Sequence, residues 1–186
     1  MNLPRLLLFS DRAQLPPGIT LRAQVAACVE AGATHIVLRE LDLSPSERAA
    51  LVEDLKQVGA VVLSARERVI GTAGLHEPSA ARGAAQALTG RSCHTREEVD
   101  IAALDRCSYV TLGPFAVTES KPGYGPALDR DAYADLPLPA YALGGIDSSN
   151  AEAARSAGAY GVAVMGAVMR SREPRGVVRD LIRSIS

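Results

Sequence analysis

Residues 87–105 read ALTGRSCHTREEVDIAALD. The first part is a short extended run, and from Thr95 onward the pattern turns helical. Thr95 is followed three positions later by Glu98, the spacing of a helix start in which a hydroxyl and a carboxylate satisfy the first amides. Ser92 and His94 sit two apart at this junction. Whether they form a reaction site or only border a strand that becomes a helix depends on what the remaining chain builds around them.

The same alternation runs through the chain. RLLLF (5–9) leads into LRAQVAACVEAG, HIVLRE (35–40) into SPSERAALVEDLKQVG, and AVVLS (60–64) into the short polar ARERVIG. AGLHE (73–77) leads into PSAARGAAQAL, SYVTLG (108–113) into a Gly/Pro-rich loop, AYALGG (140–145) into SSNAEAARSAG, and GVAVMG (161–166) into EPRGVVRDLIRSI. With the opening stretch this makes eight β/α units, the third with a poor helix. Ser44 with Pro45 and Glu47, Thr95 with Glu98, and Ser148 or Ser149 mark helix starts; Gly32, Gly59 and Gly158 mark stops.

Strict β/α alternation implies a parallel sheet. Eight units predict closure into an α/β fold of the (β/α)8 TIM-barrel type, with an open doubly wound sheet as the competitor. At 186 residues the chain is shorter than the ~250 typical of such barrels, so the barrel is expected to be compact with tight loops. No break in composition divides residues 1–186, which are read as one domain.

Apolar residues make up 47% of the chain, enough for a core, and the net charge is −1 with acids and bases mixed. That balance excludes a broad nucleic-acid footprint, and two phenylalanines give no stacking platform for single strands. No run approaches the ~18 apolar residues of a membrane span. Cys28, Cys93 and Cys107 lack metal-ligand spacing, and MNLPRLLLFSDR is too short and too soon charged for a secretory leader. Reduced thiols in a cytoplasmic protein are expected.

In a barrel, chemistry belongs at the C-terminal strand ends. Those ends carry Ser10, Asp11, Arg39, Glu40, Ser64, His76, Glu77, Ser92 and His94, then the loop residues Thr118, Ser120 and Lys121, and finally Gly144, Gly145, Met165 and Gly166. Gly144 and Gly145 ahead of a helix either permit a tight turn or bare their amides to a phosphate, and the seventh and eighth strands are where barrels place such a cradle. Lys121, Thr118 and Ser120 either cover an anion or lie in a solvated loop. Arg39 either points into the mouth toward an anion or pairs with Glu40 or Asp42 at the rim. An imidazole titrates near ~6.5 and both takes and gives protons at neutral pH. His94 and His76 are therefore acid/base candidates or structural histidines, while His35 precedes its strand at the quiet end. Cys93 alternates with Ser92 and His94, so it faces away from any site they share. Asp11 has no evident partner for holding a cation.

Several stretches resemble the thiamine phosphate synthase/TenI family: IVLRE, GRSCHTREE, YVTLGPFAVTESKPG, LGGI and GVAVMGAV. The loop GPFAVTESKPG is the most specific, since the family carries G-P-x-x-x-T-x-T-K there. The resemblance implies a (β/α)8 barrel and one of two activities. The synthase joins a pyrimidine pyrophosphate to a thiazole phosphate with Mg²⁺ and releases pyrophosphate. TenI-type members move a proton to aromatise a thiazole carboxylate phosphate without metal. It also implies that Arg39, Ser92, Thr118, Ser120 and Lys121 bind anions and that Gly144, Gly145, Met165 and Gly166 cradle phosphate.

The sequence departs from the synthase pattern. Val37 and Leu41 stand in place of an amide and a lysine, Ser64 and Ala65 in place of an Asn-Asp pair, and GLHEPSAA has no counterpart of the next metal-binding Asp. A hard cation needs those carboxylates. The resemblance then implies a TenI-type thiazole tautomerase, an isomerase in which the histidine of GRSCHTREE, His94, is the acid/base, with no cofactor and a small phosphorylated thiazole as ligand. The alternatives are a transferase, the Mg²⁺-dependent synthase with a degenerate metal site, and a non-catalytic phosphate-ligand binder with a regulatory role. No nucleic-acid or membrane partner is expected, an exposed apolar patch would support a homodimer, and the roles of His76 and Glu77 are open.

Overall fold

The computed structural model describes residues 3–117 and 126–186. Eight short strands follow one another: β1 Leu6–Phe9, β2 His35–Leu38, β3 Val61–Ala65, β4 Gly74–Glu77, β5 Thr89–Cys93, β6 Tyr109–Leu112, β7 Ala140–Leu143 and β8 Gly161–Val164. Each pairs in parallel with the next, and β8 returns to β1 through Leu6–Val162, Leu7–Ala163 and Leu8–Val164. The sheet is a closed barrel, and the open-sheet alternative falls. Its helices are α1 Leu21–Glu30, α2 Pro45–Gln57, α3 Arg96–Leu104, α4 Ala151–Ser156, α5 Gly166–Met169 and α6 Pro174–Ile185.

Closure sorts strand residues by parity into two cores. Leu7, Phe9, Val37, Leu63, Ala65, Tyr109, Tyr141 and Ala163 pack together inside the barrel. Their neighbours Leu6, Leu8, Ile36, Leu38, Val62, Val110 and Val162 face outward against Val25, Val52, Val99, Val178 and Leu181 of the helices. Aromatic rings fill much of the interior: Phe9 meets His76 edge-on at 5.0 Å, His76 stacks on Tyr109 at 5.6 Å, and Tyr109 meets Tyr141 edge-on at 5.5 Å. Gly90 makes this ladder possible, because a Cβ there would drive into the Tyr109 ring.

The start and stop signals act largely as expected. Ser44 and Glu47 form a reciprocal capping box with Pro45 in the first turn of α2. The Thr95 hydroxyl accepts from the Glu98 amide at 3.2 Å. Such a cap is worth about 1 kcal/mol. Gly32, Gly59 and Gly158 all have positive φ just past their helices. For α4 the expected cap is corrected: Asn150, not Ser148 or Ser149, is the capping position, and the Asp147 carboxylate instead accepts from the Ser149 amide at 2.8 Å.

A larger correction concerns the third and fourth units, in which no helix follows β3 or β4. Arg66 and Gly71 take positive φ in the first connector, and Gly83 and Ala87 in the second. In the second, tertiary bonds take amides that a helix would need. Gly83 N donates to the Asp105 carboxylate at 3.2 Å, and Ala85 N to the Asp105 carbonyl at 2.6 Å. Among the described residues, no helix is long and apolar enough to cross a membrane.

Candidate active site

The C-terminal mouth brings residues distant in sequence together. The Arg39 amide, just past β2, donates to the Ser10 hydroxyl at 2.9 Å, and its guanidinium Nη1 lies 2.8 Å from the Met165 sulfur beyond β8. The rim ion pair with Glu40 or Asp42 does not form, because Arg12 takes both carboxylates. No ion pair among the described residues includes Arg39. A thioether is a weak acceptor. A half-buried guanidinium so placed is a ready partner for an anion.

On the opposite wall, parity turns His76 and Ser92 inward. The His76 ring is buried, with Nδ1 at 3.1 Å from the Tyr109 hydroxyl and Nε2 at 3.0 Å from the Ser92 hydroxyl. Burial, reinforced by the nearby Arg39 charge, pushes the His76 pKa down to about 3. An imidazole locked neutral at pH 7 is a poor acid/base catalyst. Cys93 points outward into the helix-facing core, where burial pushes its thiol up to about 12. A thiol so hard to ionise is no nucleophile near neutrality.

His94 lies one step beyond β5, half-buried. Its amide donates to the Glu98 carboxylate, which ties the residue to the first turn of α3. Its ring Nδ1 is 2.9 Å from the Gly113 carbonyl at the end of β6. A carbonyl only accepts, so Nδ1 carries the hydrogen, and in the neutral ring Nε2 carries the lone pair. Gly113 itself packs against the end of β7, where a Cβ would collide with the Leu143 carbonyl.

Gly144 and Gly145 form the turn after β7 with φ of +96° and +64°. A side chain at Gly145 would collide with the carbonyls of Ala116 and Val117, while the Ala116 amide donates to Gly144 O at 3.0 Å. The two glycines thus seat the base of the loop after β6 on the turn after β7. Gly166 opens α5 beside the Arg170 guanidinium, which donates to Gln14 at 2.8 Å. Thr118, Ser120 and Lys121 lie outside the described residues.

Two strand-end residues turn away from the mouth. Ser64 faces outward, where its hydroxyl accepts from the Val69 amide at 3.3 Å. Glu77 is drawn to the outer face by Arg91, which the sequence reading had not singled out. Arg91 is 1% exposed and bridges Glu77 at 2.8 Å and Asp105 at 2.6 Å beneath the helix-free connector. Its hydrogen bond holds the Asp105 carboxyl below the usual carboxylate range. A charged residue inside the run TGRSC was the available signal, but its meaning depends on strand parity.

Fold and site together define a class: a small parallel (β/α)8 barrel whose C-terminal strand ends carry a guanidinium with no ion pair among the described residues, an oriented imidazole and glycine-rich turns. A family profile described as thiamine monophosphate synthase matches residues 70–168. A Thermosynechococcus vestitus relative named thiamine-phosphate synthase is 39% identical over 102 residues, covering 53% of this chain and 29% of its own length. A Geobacter sulfurreducens relative, which also carries thiamine-phosphate synthase in its name, is 32% identical over 198 residues, covering 95% of this chain and 92% of its own. The chain belongs to the thiamine monophosphate synthase family of thiamine biosynthesis. The solved thiamine phosphate pyrophosphorylase of Pyrococcus furiosus superposes with a TM-score of 0.82 at 21% identity, over 97% of this chain and 95% of that one. At that identity the likeness speaks for the fold.

The synthase branch of this family implies Mg²⁺, and the described residues do not fit it. The end of β3 offers the Ala65 methyl, packed in the apolar inner core. Glu77 is held by Arg91, Glu40 by Arg12, and Asp11 by the Ala13 amide and the Gln14 side chain. No cluster of three or more His, Cys, Asp and Glu side chains among the described residues is placed to hold a metal ion.

Proposed function

We propose that the protein is a TenI-type thiazole tautomerase that aromatises a thiazole carboxylate phosphate, with His94 as the acid/base. The observation that carries this reading is the Nδ1–Gly113 contact of 2.9 Å, which leaves the lone pair of the neutral imidazole on Nε2. Nε2 takes a proton from one carbon of the non-aromatic ring system, and the electron pair of that C–H bond enters the ring. The resulting imidazolium returns a proton to the carbon at the far end of the conjugated path. Substrate and product contain the same atoms, so no second substrate is required. Positioned proton transfer of this kind is worth about 10²–10⁴-fold in rate.

Arg39 neutralises a ligand anion and helps fix the ring beside the imidazole. Gly144, Gly145, Met165 and Gly166 are assigned to the phosphate end, and Thr118, Ser120 and Lys121 to the same ligand from the family resemblance alone. Cytoplasmic action is part of this reading.

The names of the relatives favour a second reading, a thiamine-phosphate synthase that couples a pyrimidine pyrophosphate to a thiazole phosphate. The carboxylates of the described residues, held by Arg12, Arg91 and local amides, weigh against it. Paired assays separate the two. Isomerisation of the non-aromatic thiazole carboxylate phosphate that survives a chelator supports the tautomerase. Pyrophosphate release that requires a divalent cation overturns it in favour of the synthase.

A further inference from the structure

We infer that Tyr109 and His76 act as positioning residues that fix Ser92 as a one-way hydrogen-bond donor toward an anionic oxygen of a ligand in the barrel mouth. The inference deepens the proposed site and rests on its location, although the hydrogen-bond polarity can be read without any turnover.

The argument follows the protons. Tyr109 is 1% exposed, and burial raises its hydroxyl pKa above the ordinary value, so the phenol keeps its hydrogen. Among the described residues its hydroxyl has one hydrogen-bond partner, His76 Nδ1 at 3.1 Å. A buried O–H without an acceptor is costly, so the phenol donates to Nδ1. Nδ1 is then the bare nitrogen of a neutral ring, and the ring hydrogen sits on Nε2. From there it donates to the Ser92 oxygen, 3.0 Å away. With its oxygen receiving that bond, Ser92 has its own hydrogen left to give. Ser92 is half-exposed on the inward face of β5, on the way from the buried ladder to the mouth.

The opposite arrangement would invert the site. If Nδ1 carried the hydrogen, Ser92 would donate inward to Nε2 and turn its lone pairs toward the mouth, where they would repel a phosphate or carboxylate oxygen. The tyrosine hydrogen would then have no described acceptor. Burial and the charge of Arg39 both disfavour a protonated ring.

Nitrogen-15 spectra of the full-length, ligand-free protein test the polarity directly. The expected result is His76 with an amine-like Nε2 and an imine-like Nδ1, unchanged across neutral pH. In Tyr109→Phe the Nδ1–H form should appear, because the phenol no longer supplies the hydrogen. Finding Nδ1–H in the wild type, or a ring that titrates near neutrality, overturns the inference.

Binding of inorganic pyrophosphate and of the thiazole carboxylate phosphate product supplies the second arm. Ser92→Ala should weaken binding about tenfold, as for a hydrogen bond to a charged group. Tyr109→Phe should weaken it less, and the double variant should bind no worse than Ser92→Ala alone, because Tyr109 acts only through Ser92. Additive losses, or failure of the wild type to bind either anion, overturn the inference. Pyrophosphate binding with this pattern but no thiazole turnover leaves the polarity standing and removes the tautomerase reading.

Discussion

The ends of β4 and β5 each present a histidine, and the two sit in different surroundings. His76 is sealed inside the barrel between Tyr109 and Ser92, beside the charge of Arg39, and stays neutral far below physiological pH. His94 sits one strand over and one step higher, half-buried, with its amide on Glu98 and its ring on Gly113. Similar residues at similar strand ends thus end in different surroundings, and the proposed acid/base role falls to His94 alone. What separates them is depth. An imidazole kept from water loses its charged form.

Replacing each histidine breaks or sharpens that contrast. His94→Ala should lower kcat for thiazole isomerisation by about 10²–10⁴-fold, read by direct assay, with little change in thermal midpoint. A comparable kcat loss from His76→Phe, with ligand affinity intact, would erase the distinction. The next largest effect is structural and lies on the outer face of the same two strands. Arg91→Ala leaves Glu77 and Asp105 without their shared cation and should destabilise the fold by about 3 kcal/mol in denaturant titration. Arg91→Met should recover part of that loss, since it removes the charge but fills the space.

A pH titration of stability isolates the buried member of the pair. The folded-state pKa of His76, about 3, lies below the ordinary ~6.5 of an unfolded histidine. The unfolded chain therefore binds the extra proton between those values. Stability from this group is complete above ~6.5 and falls as pH drops toward about 3, with a slope of up to about 1.4 kcal/mol per pH unit. His76→Phe should flatten the denaturation midpoint across that window. Some slope should persist from His35, whose pKa burial also lowers. The smallest effect is expected at Cys93: with its thiol held up to about 12, Cys93→Ala should leave kcat unchanged, and thiol reagents should not inactivate the folded protein at neutral pH.

The barrel itself was legible because eight apolar runs alternate with capped helical segments, and the caps at Ser44 and Thr95 and the stops at Gly32, Gly59 and Gly158 depend on local chemistry. The fourth unit was misread for the opposite reason. PSAARGAAQAL has the composition of a helix, but bonds from Gly83 and Ala85 to Asp105, about twenty residues away, decide its shape. Arg39 could be placed at the mouth from its strand position, yet only the fold shows that Arg12 takes the carboxylates that might have neutralised it. Arg91 and Tyr109 escaped notice because a residue's face depends on strand parity. The fit of Tyr109 against Gly90 is likewise a tertiary fact.

The most direct test is a crystal structure of the protein with the thiazole carboxylate phosphate bound. The account predicts the ligand in the mouth, with His94 Nε2 within about 3.5 Å of the ring carbon that loses its proton and the Arg39 guanidinium on a ligand anion. A ligand bound elsewhere, or a ring held out of reach of that imidazole with a divalent cation between them, would contradict it.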